Sequence, residues 1–600
     1  MGIDRCRCRA SQGGGSTLRA LVVPAVASFA VDKGFRYALG DHTVQVGSLV
    51  RVPLSGRRVR GYVVAVEDND SAGLKEVLAV SSPLPLFTSK TLESVRWAAT
   101  HYVAPMATVL ARTAPPNLPK ATPDKTYAEV GQRKGVLGEI EAAAVGRRRS
   151  PGFFVFGSPI DEFVDLAVSV AGHGQSVLIA APTAHEVNII SDKVASVAPD
   201  RLICVSPDLS DASVTTAWAR MATRPGSIVV GTERVALWSI ASLGLAIVVD
   251  EGRRSHKARQ TPTIHTRDLL KARSRVEGFA FVMSGLAPTT EALAAGVRMI
   301  RSDSRRLWAP VEVVDRLEEP PGGGLISSRV RVAMAGAANR RQSVFVLVGR
   351  KGYAPAFRCV ACRSLRRCDN CGTATNQAGS CQRCRNDLGP CAQCGRRRFE
   401  PLGAGIGRIV EEIRRFHDAV GPAGSGQLIA VGTERDLVAA SGLALGVVVD
   451  ADGMVFGTNY RSTEDALRLF ARLGAKVKRE SGSRLIVQTS QPSHEIFGAL
   501  RRSDPLPFLE AELAERATLR YPPIGELIVV EVANPPAWAA DRIRTQVEAA
   551  VLGPAEVAGR TRWLVQGDDL SKARQVLRGI VGEMRDAGAN VRVDVDPIDL

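Results

Sequence analysis

The sequence has no run of apolar residues long enough to cross a membrane, since a span needs roughly 18 such residues in succession. We therefore expect no membrane partner. The segment from Arg19 to Ala30 has the basic flank, short apolar run and small residues of a signal peptide. It is equally consistent with a first β-strand that leads into Phe35, and we favour the strand.

The sequence also lacks any Gly-Lys dipeptide. The loop that holds nucleotide phosphates has the pattern G-x-x-x-x-G-K-[ST], in which backbone amides and a lysine contact the β- and γ-phosphates. Where such a loop would follow the apolar strand 153–156, the sequence is Gly157-Ser158-Pro159-Ile160-Asp161-Glu162. Proline removes an amide donor, and the two carboxylates repel a triphosphate. Tight binding of ATP and Mg²⁺ is therefore not expected.

Cysteine is scarce outside one short segment. Eight of the eleven cysteines form four Cys-x-x-Cys pairs, which are Cys359/Cys362, Cys368/Cys371, Cys381/Cys384 and Cys391/Cys394. Four such pairs can supply two tetrahedral, all-thiolate zinc sites. Arg, Gly and Asn dominate the residues between the pairs, so the segment would fold only around metal. Disulfides or an iron–sulfur cluster are the alternatives. Cys6 and Cys8 lie in a Gly/Ser-rich tail that we expect to be disordered.

The charge is strongly positive, with a net +17 and a pI near 9.7 over 600 residues. Such a balance favours a polyanionic partner over a merely solvated basic surface. Cysteines used as metal ligands fit a reducing compartment, so we expect a cytoplasmic protein.

The order of apolar runs and turns predicts a multidomain α/β protein with two tandem lobes. Short β-branched runs separated by turns predict a small N-terminal β domain, followed by a helix over 90–112. Strand-like runs alternate with helical segments in two later series, which is typical of doubly wound parallel sheets. The predicted units are a tail (1–18), the β domain (19–112), a linker (113–151), lobe 1 (152–310), the start of lobe 2 (311–358), the cysteine insert (359–395), the rest of lobe 2 (396–504) and an α+β domain (505–600).

Two carboxylates follow the apolar strand that begins at Leu245. In nucleotide-driven motors an Asp in the position of Asp250 binds magnesium and a Glu in the position of Glu251 polarises water. An acidic strand end also has a purely structural interpretation.

Several motifs together resemble the PriA family of primosomal replication-restart proteins (primosomal protein N′), which are superfamily 2 DNA helicases. The matching segments are Gly231-Thr232, Asp250-Glu251, Gly352-Tyr353-Ala354-Pro355, the four cysteine pairs, Gly432-Thr433, Asp450-Ala451-Asp452-Gly453, Tyr460-Arg461 with Glu464, Gln488-Thr489, Tyr521-Pro522-Pro523 and Gly553-Pro554-Ala555. The resemblance implies two RecA-like helicase lobes with a two-zinc insert and flanking DNA-binding domains. It also implies that Cys359, Cys362, Cys391 and Cys394 share one zinc, and that Cys368, Cys371, Cys381 and Cys384 share the other, whereas spacing alone leaves sequential pairing open.

The departures from the family pattern lie in the motor. The D-E-x-H box ends in Arg253 instead of histidine, and the S-A-T motif has become Ser284-Gly285-Leu286. The two arginines of the Q-x-x-G-R-x-G-R segment are replaced by Ala475 and Lys478. Lysine cannot reproduce the bidentate hydrogen bonds of an arginine finger. Together with the missing phosphate loop, these changes alter four parts of the motor. We therefore expect no catalytic residues to remain.

In the N-terminal domain, Phe35, Tyr37 and Lys75 match the family's pocket for the 3′ end of a DNA strand. Aromatic rings could stack on a base while the lysine contacts phosphate. The family has Asp where this chain has Arg36, and the two rings have an alternative role as barrel core. The linker 113–151 is short for the family's winged-helix domain.

Three hypotheses follow. The first is a replication restart protein that binds branched or stalled forks and single-stranded DNA, recruits primosome and single-strand-binding proteins, and is not a working helicase. Arginines dispersed through the cysteine insert would support that contact. The second is an active ATP-dependent 3′–5′ helicase. The third is a protein-interaction scaffold that does not touch DNA.

Overall fold

The structure is a computed structural model that describes residues 18–119, 137–146, 152–301, 306–320, 324–349, 357–362, 364, 366–370, 380–381, 386–401, 405–457, 459–557 and 559–600. The predicted tail with Cys6 and Cys8, most of the linker, and Cys371 and Cys384 lie outside these residues. Within the described part of the chain, no helix combines the length and apolarity that a membrane span requires.

The N-terminal domain is an antiparallel sheet of five strands in the order β2-β1-β4-β3-β5. Its strands are β1 (Leu18–Pro24), β2 (Phe35–Ala38), β3 (Leu49–Leu54), β4 (Arg57–Asp68) and β5 (Ala79–Val80). Alternate residues such as Val22, Val50 and Val63 pack inside a small core of their own. The sheet curls toward closure, since residues 75–77 hydrogen-bond to Ala38 of β2.

The single helix predicted over 90–112 is interrupted. The structure has α1 (Ser89–His101) and α2 (Met106–Leu110). Between them, Val103 adopts a left-handed backbone with φ 48°, and Pro105 has no amide proton for helical bonding. The next helix, α3 (Gly138–Val145), packs under lobe 1.

Lobe 1 carries a seven-stranded sheet in the order β12-β6-β11-β10-β7-β9-β8, in which every pairing is parallel. Its elements are β6 (Phe153–Phe156), α4 (Ile160–Gly172), β7 (Ser176–Ala180), α5 (Ala184–Val197), β8 (Leu202–Val205), α6 (Asp211–Thr223), β9 (Ile228–Gly231), β10 (Leu243–Val248), α7 (Thr266–Glu277), β11 (Ala280–Gly285), α8 (Thr290–Ala294) and β12 (Arg298–Ile300). The strands are apolar on both faces because helices cover both sides of the sheet.

Lobe 2 carries a six-stranded parallel sheet in the order β13-β20-β19-β14-β18-β17. Its elements are β13 (Val311–Asp315), α9 (Ser328–Asn339), β14 (Val344–Leu347), α10 (Ile406–Arg414), β17 (Val420–Pro422), β18 (Ile429–Gly432), α11 (Glu434–Leu437), β19 (Leu445–Val448), α12 (Asp452–Val455), α13 (Ser462–Lys476), β20 (Arg484–Thr489) and α14 (Glu495–Arg502). Between β14 and α10, an antiparallel pair of short strands, β15 (Phe357–Cys359) and β16 (Phe399–Pro401), brackets the cysteine segment. Both doubly wound sheets are as predicted.

The C-terminal domain is an antiparallel sheet in the order β22-β23-β21-β24 with helices against it. Its elements are α15 (Leu506–Leu519), β21 (Glu526–Ala533), α16 (Ala539–Gln546), β22 (Ala550–Val557), β23 (Arg560–Gly567), α17 (Ser571–Asp586) and β24 (Asn590–Val595). Its core is continuous with that of lobe 1 and α1, so the domain helps to fix the arrangement of the lobes.

Candidate functional sites

The carboxylate of Asp250 is held by two guanidinium groups. It follows β10 at the carboxyl edge of the lobe 1 sheet, where the sequence predicts a magnesium ligand. One Asp250 oxygen lies 3.4 Å from Nη1 of Arg253 and 3.3 Å from Nε of Arg472. Arg253 stands in the position of the family's histidine, and Arg472 comes from α13 of lobe 2. Two cations of the protein therefore stand beside the carboxylate that would bind a metal.

The same arginines contact two further carboxylates. Nη1 of Arg253 donates to Glu186 at 3.0 Å, and Nη1 of Arg472 donates to Glu434 at 2.9 Å. Nε of Arg253 lies 3.6 Å from Glu434, which belongs to lobe 2. Burial alone lowers the pKa of Arg253, but Asp250, Glu186 and Glu434 raise it above its usual value. We call these five residues the cleft network, in which two arginines pair with three carboxylates.

Glu251, the predicted water-polarising group, is only 1% exposed. One of its carboxylate oxygens accepts a hydrogen bond from the Thr289 amide at 2.7 Å. The other accepts from the Thr289 hydroxyl and from Nη1 of Arg267, both at 3.1 Å. Burial raises the pKa of Glu251, while the nearby Arg267 and Arg468 oppose that rise. A carboxylate shielded in this way has no access to an attacking water.

The loop after β6 is too short and too acidic to hold phosphates. Only residues 157–159 separate β6 from α4, and Pro159 precedes the helix without a side-chain cap. Asp161 in the first helical turn is 81% exposed at its side chain and forms an ion pair with Lys193. The phosphate end of the cleft therefore presents a carboxylate where motors present a lysine.

The space beside Asp250 is small, and a larger cavity of about 390 Å³ lies next to it, lined by Gly252, Arg254, Arg461, Asp465 and Arg468 among others. A cavity of about 50 Å³ is lined by Asp250, Arg253, Glu434, Met454 and Arg472, among others. Small-molecule sites in proteins usually enclose roughly 300–1,000 Å³. The cavity beside Asp250 is below this range, whereas the neighbouring cavity lies within it.

The positions of the lost arginine fingers do not supply a replacement cation. Ala475 has no charge, and the ammonium group of Lys478 is 47% exposed and lies 3.6 Å from Glu480. The lobe 2 cation beside Asp250 is Arg472, which sequence reasoning did not identify. The sequence indicated an arginine near Asp250 only through the change of the D-E-x-H histidine to Arg253.

A second group of contacts joins the lobes next to the cleft network. Nη2 of Arg254 in lobe 1 lies 2.8 Å from Asp465 in lobe 2, and Arg461 forms an ion pair with Glu291 of lobe 1. At Gly252 an added Cβ would lie 2.6 Å from Nε of Arg468, so glycine permits this arginine to approach lobe 1.

The cysteine segment brings four sulfurs together. The Sγ atoms of Cys359, Cys362, Cys391 and Cys394 all lie within 4.8 Å of one another. Two of the separations, Cys359 to Cys394 at 3.4 Å and Cys362 to Cys391 at 3.5 Å, are too long for disulfides. They approach the sulfur–sulfur edge of about 3.8 Å that Zn–S bonds of 2.3 Å give in a tetrahedron. This set can hold a metal ion, is compatible with zinc, and is the grouping that the family resemblance implies.

Hydrogen bonds act unequally on the four thiols: the Arg396 amide lowers the pKa of Cys394, but contacts with Cys362 and Cys359 outweigh it and raise that pKa above its usual value. The Ser364 hydroxyl lies 3.1 Å from the sulfur of Cys391 and 3.0 Å from that of Cys362. The contact with Ser364 lowers the pKa of Cys391 to about 6, which favours the thiolate that a metal requires. In the second predicted set, Cys368 and Cys381 are buried, while Cys371 and Cys384 lie outside the described residues. The second zinc therefore stays a prediction.

The two aromatic residues predicted to contact DNA occupy different environments. Phe35 is 41% exposed, whereas Tyr37 is 3% exposed and donates its hydroxyl proton to the Pro53 carbonyl at 3.1 Å. Tyr37 therefore sits in the barrel core, as the alternative interpretation holds. Lys75 is exposed, and its carbonyl accepts from the Ala38 amide at 3.0 Å.

Arg36 is not a free cation. Its Nε lies 3.2 Å from Glu67, and Arg19 contacts the same oxygen at 2.7 Å. These two arginines lower the pKa of Glu67. A role of Phe35, Tyr37 and Lys75 in binding DNA stays a prediction.

Comparison with known proteins finds one matching domain model and relatives that align with nearly the whole chain. Residues 21–115 match the family model of the PriA 3′ DNA-binding domain (3′BD). The replication restart protein PriA of Treponema pallidum is 25% identical over 666 aligned residues, which cover 95% of this chain and 98% of that protein. The probable replication restart protein PriA of Mycobacterium leprae is 24% identical, over 95% of this chain and 99% of that protein.

Among solved structures, RecG bound to a three-way DNA junction matches with a TM-score of 0.35 and 11% identity, over 64% of this chain and 49% of that one. Mss116p bound to single-stranded RNA and AMP-PNP matches with a TM-score of 0.33 and 10% identity, over 66% and 85%. Similarities this low add nothing to the assignment. The domain match and the alignments over nearly the whole chain confirm the resemblance found in the motifs: the chain is similar to the replication restart protein PriA.

Proposed function

We propose that this protein binds branched or stalled replication forks and initiates primosome assembly without acting as a helicase. The match of residues 21–115 to a 3′ DNA-binding domain, and the full-length similarity to replication restart proteins, support the DNA-binding part. The net charge of +17 supports a polyanionic partner. In this proposal, primosome and single-strand-binding proteins are recruited to the bound fork.

One observation carries the claim that the motor is inactive. Asp250 and Glu251 both have arginine partners from the protein itself, at 3.3 to 3.4 Å and 3.1 Å. A divalent ion at Asp250 would have to displace Arg253 and Arg472 and to overcome their positive charge. The chain also offers no phosphate loop that would compensate for this cost.

The metal site has a structural role in this proposal. Cys359, Cys362, Cys391 and Cys394 would hold a zinc ion that fixes the insert on lobe 2. The exposed run Arg396-Arg397-Arg398, next to this set, would then present its charge on a rigid base. Arg366 has a structural role instead, since its guanidinium stacks on Phe399 at 4.1 Å and donates to the Leu388 carbonyl.

The alternative function is an ATP-dependent 3′–5′ DNA helicase. It requires that Arg253 and Arg472 leave Asp250 when nucleotide arrives. A cleft that opens by breaking the cleft network would allow this, and the similarity to PriA supports it as the second candidate.

The two candidates are separated by one paired assay on purified, zinc-loaded protein. We expect fork DNA to bind at low salt and to dissociate steeply as salt rises, with ATP hydrolysis at background with or without DNA. The control is Asp250→Asn, which should not change the background rate. If fork DNA stimulates ATP hydrolysis and Asp250→Asn abolishes that stimulation, the protein is a helicase. If the protein does not bind forks at low salt, a pure protein scaffold is favoured.

A further inference from the structure

The outward face of the β3–β4 hairpin carries three arginines in a row. Arg51 on β3 is directly opposite Arg60 on β4, and Arg58 is directly opposite Pro53. All three arginines are exposed, whereas the neighbouring Val50 and Val52 are fully buried on the inward face. We call Arg51, Arg58 and Arg60 the arginine ladder.

Repulsion among the arginines of the ladder destabilises the N-terminal domain when no anion is bound. Side chains directly opposite in an antiparallel pair have Cβ atoms about 5 Å apart, and like charges there are destabilising. None of the three arginines forms a hydrogen bond or ion pair with its side chain to any residue that the structure describes. Elsewhere on the same barrel, Arg19 and Arg36 share the carboxylate of Glu67. The barrel thus compensates one pair of arginines and leaves the ladder uncompensated.

The side chains of this face favour the phosphates of a duplex over a single strand. Proteins that bind single strands combine positive charge with aromatic rings on which bases stack. The positions paired with the ladder hold Pro53 and, on β5, Ala79 opposite Arg51, so the face offers guanidinium groups without a ring. Arginines of this kind contact phosphates and fix the position of a duplex without reading its bases.

We propose that the arginine ladder is a contact surface for the phosphate backbone of duplex DNA, and that it is distinct from the position of Phe35. Phe35 lies on β2, and β1 lies between that strand and β4, which carries Arg58 and Arg60. One domain would then touch a fork in two places, at a strand end and along a duplex arm. The inference rests on the proposed function, since it assumes that the protein binds branched DNA.

The test compares two triple variants of the full-length, zinc-loaded protein. One is Arg51→Gln/Arg58→Gln/Arg60→Gln. The control, Arg298→Gln/Arg329→Gln/Arg542→Gln, removes the same net charge from exposed arginines that pair with Glu139, Glu312 and Glu583. Fluorescence anisotropy would measure the binding of blunt duplex DNA and of single-stranded DNA over a range of salt concentrations.

For the ladder variant we expect the slope of log K against log salt on duplex to fall by about 2 to 3, and duplex affinity to fall roughly tenfold or more. Its affinity for single strands should match that of the control. Unfolding without DNA should occur at the same temperature as in wild type or at a higher one, because repulsion is relieved.

Three results would overturn the inference: equal duplex slopes in both variants, an equal loss of single-strand binding, or a lower unfolding temperature for the ladder variant than for the control. Each leaves the proposed function intact if wild-type protein binds forks. Wild-type protein that binds no DNA at low salt would reject the proposed function itself.

Discussion

At the scale of single residues, arginines contact both Asp250 and Glu251, and Arg253 stands where the family motif has histidine. Arg253 and Arg472 neutralise Asp250, and Arg267 neutralises Glu251. Removing one partner of a buried ion pair costs more than the pair contributes, because it leaves a charge without compensation. These arginines are therefore structural, and their loss should be measurable as a loss of stability.

The pair of Glu251 and Arg267 allows a direct stability test. We expect Arg267→Met to destabilise the fold by about 3–5 kcal/mol at neutral pH, measured by urea unfolding. The double variant Arg267→Met/Glu251→Gln should recover part of this loss, because Glu251 no longer carries a charge, whereas Asp268 and Glu291 still lack the Arg267 guanidinium. Full stability in the single variant would show that the pair is not essential.

The same variant predicts a pH dependence with a definite sign. Burial already raises the pKa of Glu251, and removing Arg267 raises it further, since the cation no longer favours the charged form. A buried acid with a raised pKa is neutral below that pKa and costs stability only above it. The deficit of Arg267→Met should therefore shrink as pH falls toward about 5 and grow as pH rises. A deficit independent of pH would contradict this account of Glu251.

The changes in the nucleotide-binding motifs could be identified from the sequence alone, because each motif is local in sequence. The missing Gly-Lys, the Pro159 amide and the change to Arg253 are all visible in the chain. The role of Arg472 could not be predicted, because it reaches Asp250 only when the two lobes meet. The burial of Tyr37 likewise depends on the closure of the barrel, which the spacing of its strands does not specify.

At the scale of elements, continuous apolar runs predicted the central strands of both parallel sheets, since such strands are buried on both faces. The edge strands β12, β13 and β17 were not predicted. The break between α1 and α2 was missed, because the apolar pattern of the two helices continues across residues 102–105. The predicted linker contains α3, a helix of eight residues that no strong periodicity of apolar residues indicated.

The cysteine segment is the element that depends most on metal. We expect the purified protein to contain two zinc ions per chain by elemental analysis, and Cys359→Ser to retain one. Chelation should release the segment between β15 and β16 to proteolysis while both lobes stay folded, because the lobes have their own cores. A matched control is Cys204→Ser, which lies on β8 and should leave the zinc content unchanged. Two retained zinc ions in Cys359→Ser would exclude the predicted ligand set.

At the scale of the whole molecule, the cleft network and its neighbours make the two lobes one unit. Contacts between Arg472 and Asp250, between Arg254 and Asp465, and between Arg461 and Glu291 join lobe 1 to lobe 2. In a motor, nucleotide binding and release drive opening and closing between lobes. Here side chains of the protein provide the closing contacts.

This arrangement predicts how the shape responds to mutation. We expect Arg254→Gln/Arg472→Gln to increase the distance between spectroscopic labels on lobes 1 and 2, because the contacts of Arg254 with Asp465 and of Arg472 with Asp250 are lost. Arg329→Gln, an exposed position within lobe 2, should leave the distance unchanged. A double variant with an unaltered distance would mean that the hydrophobic contacts between the lobes suffice to hold them together.

Isothermal titration calorimetry of ATP and magnesium against wild-type, zinc-loaded protein tests the central claim most directly. With Arg253 and Arg472 beside Asp250, and with no phosphate loop, we predict no saturable heat, either alone or with fork DNA present. Saturable binding at one nucleotide per chain, lost in Asp250→Asn, would contradict the account.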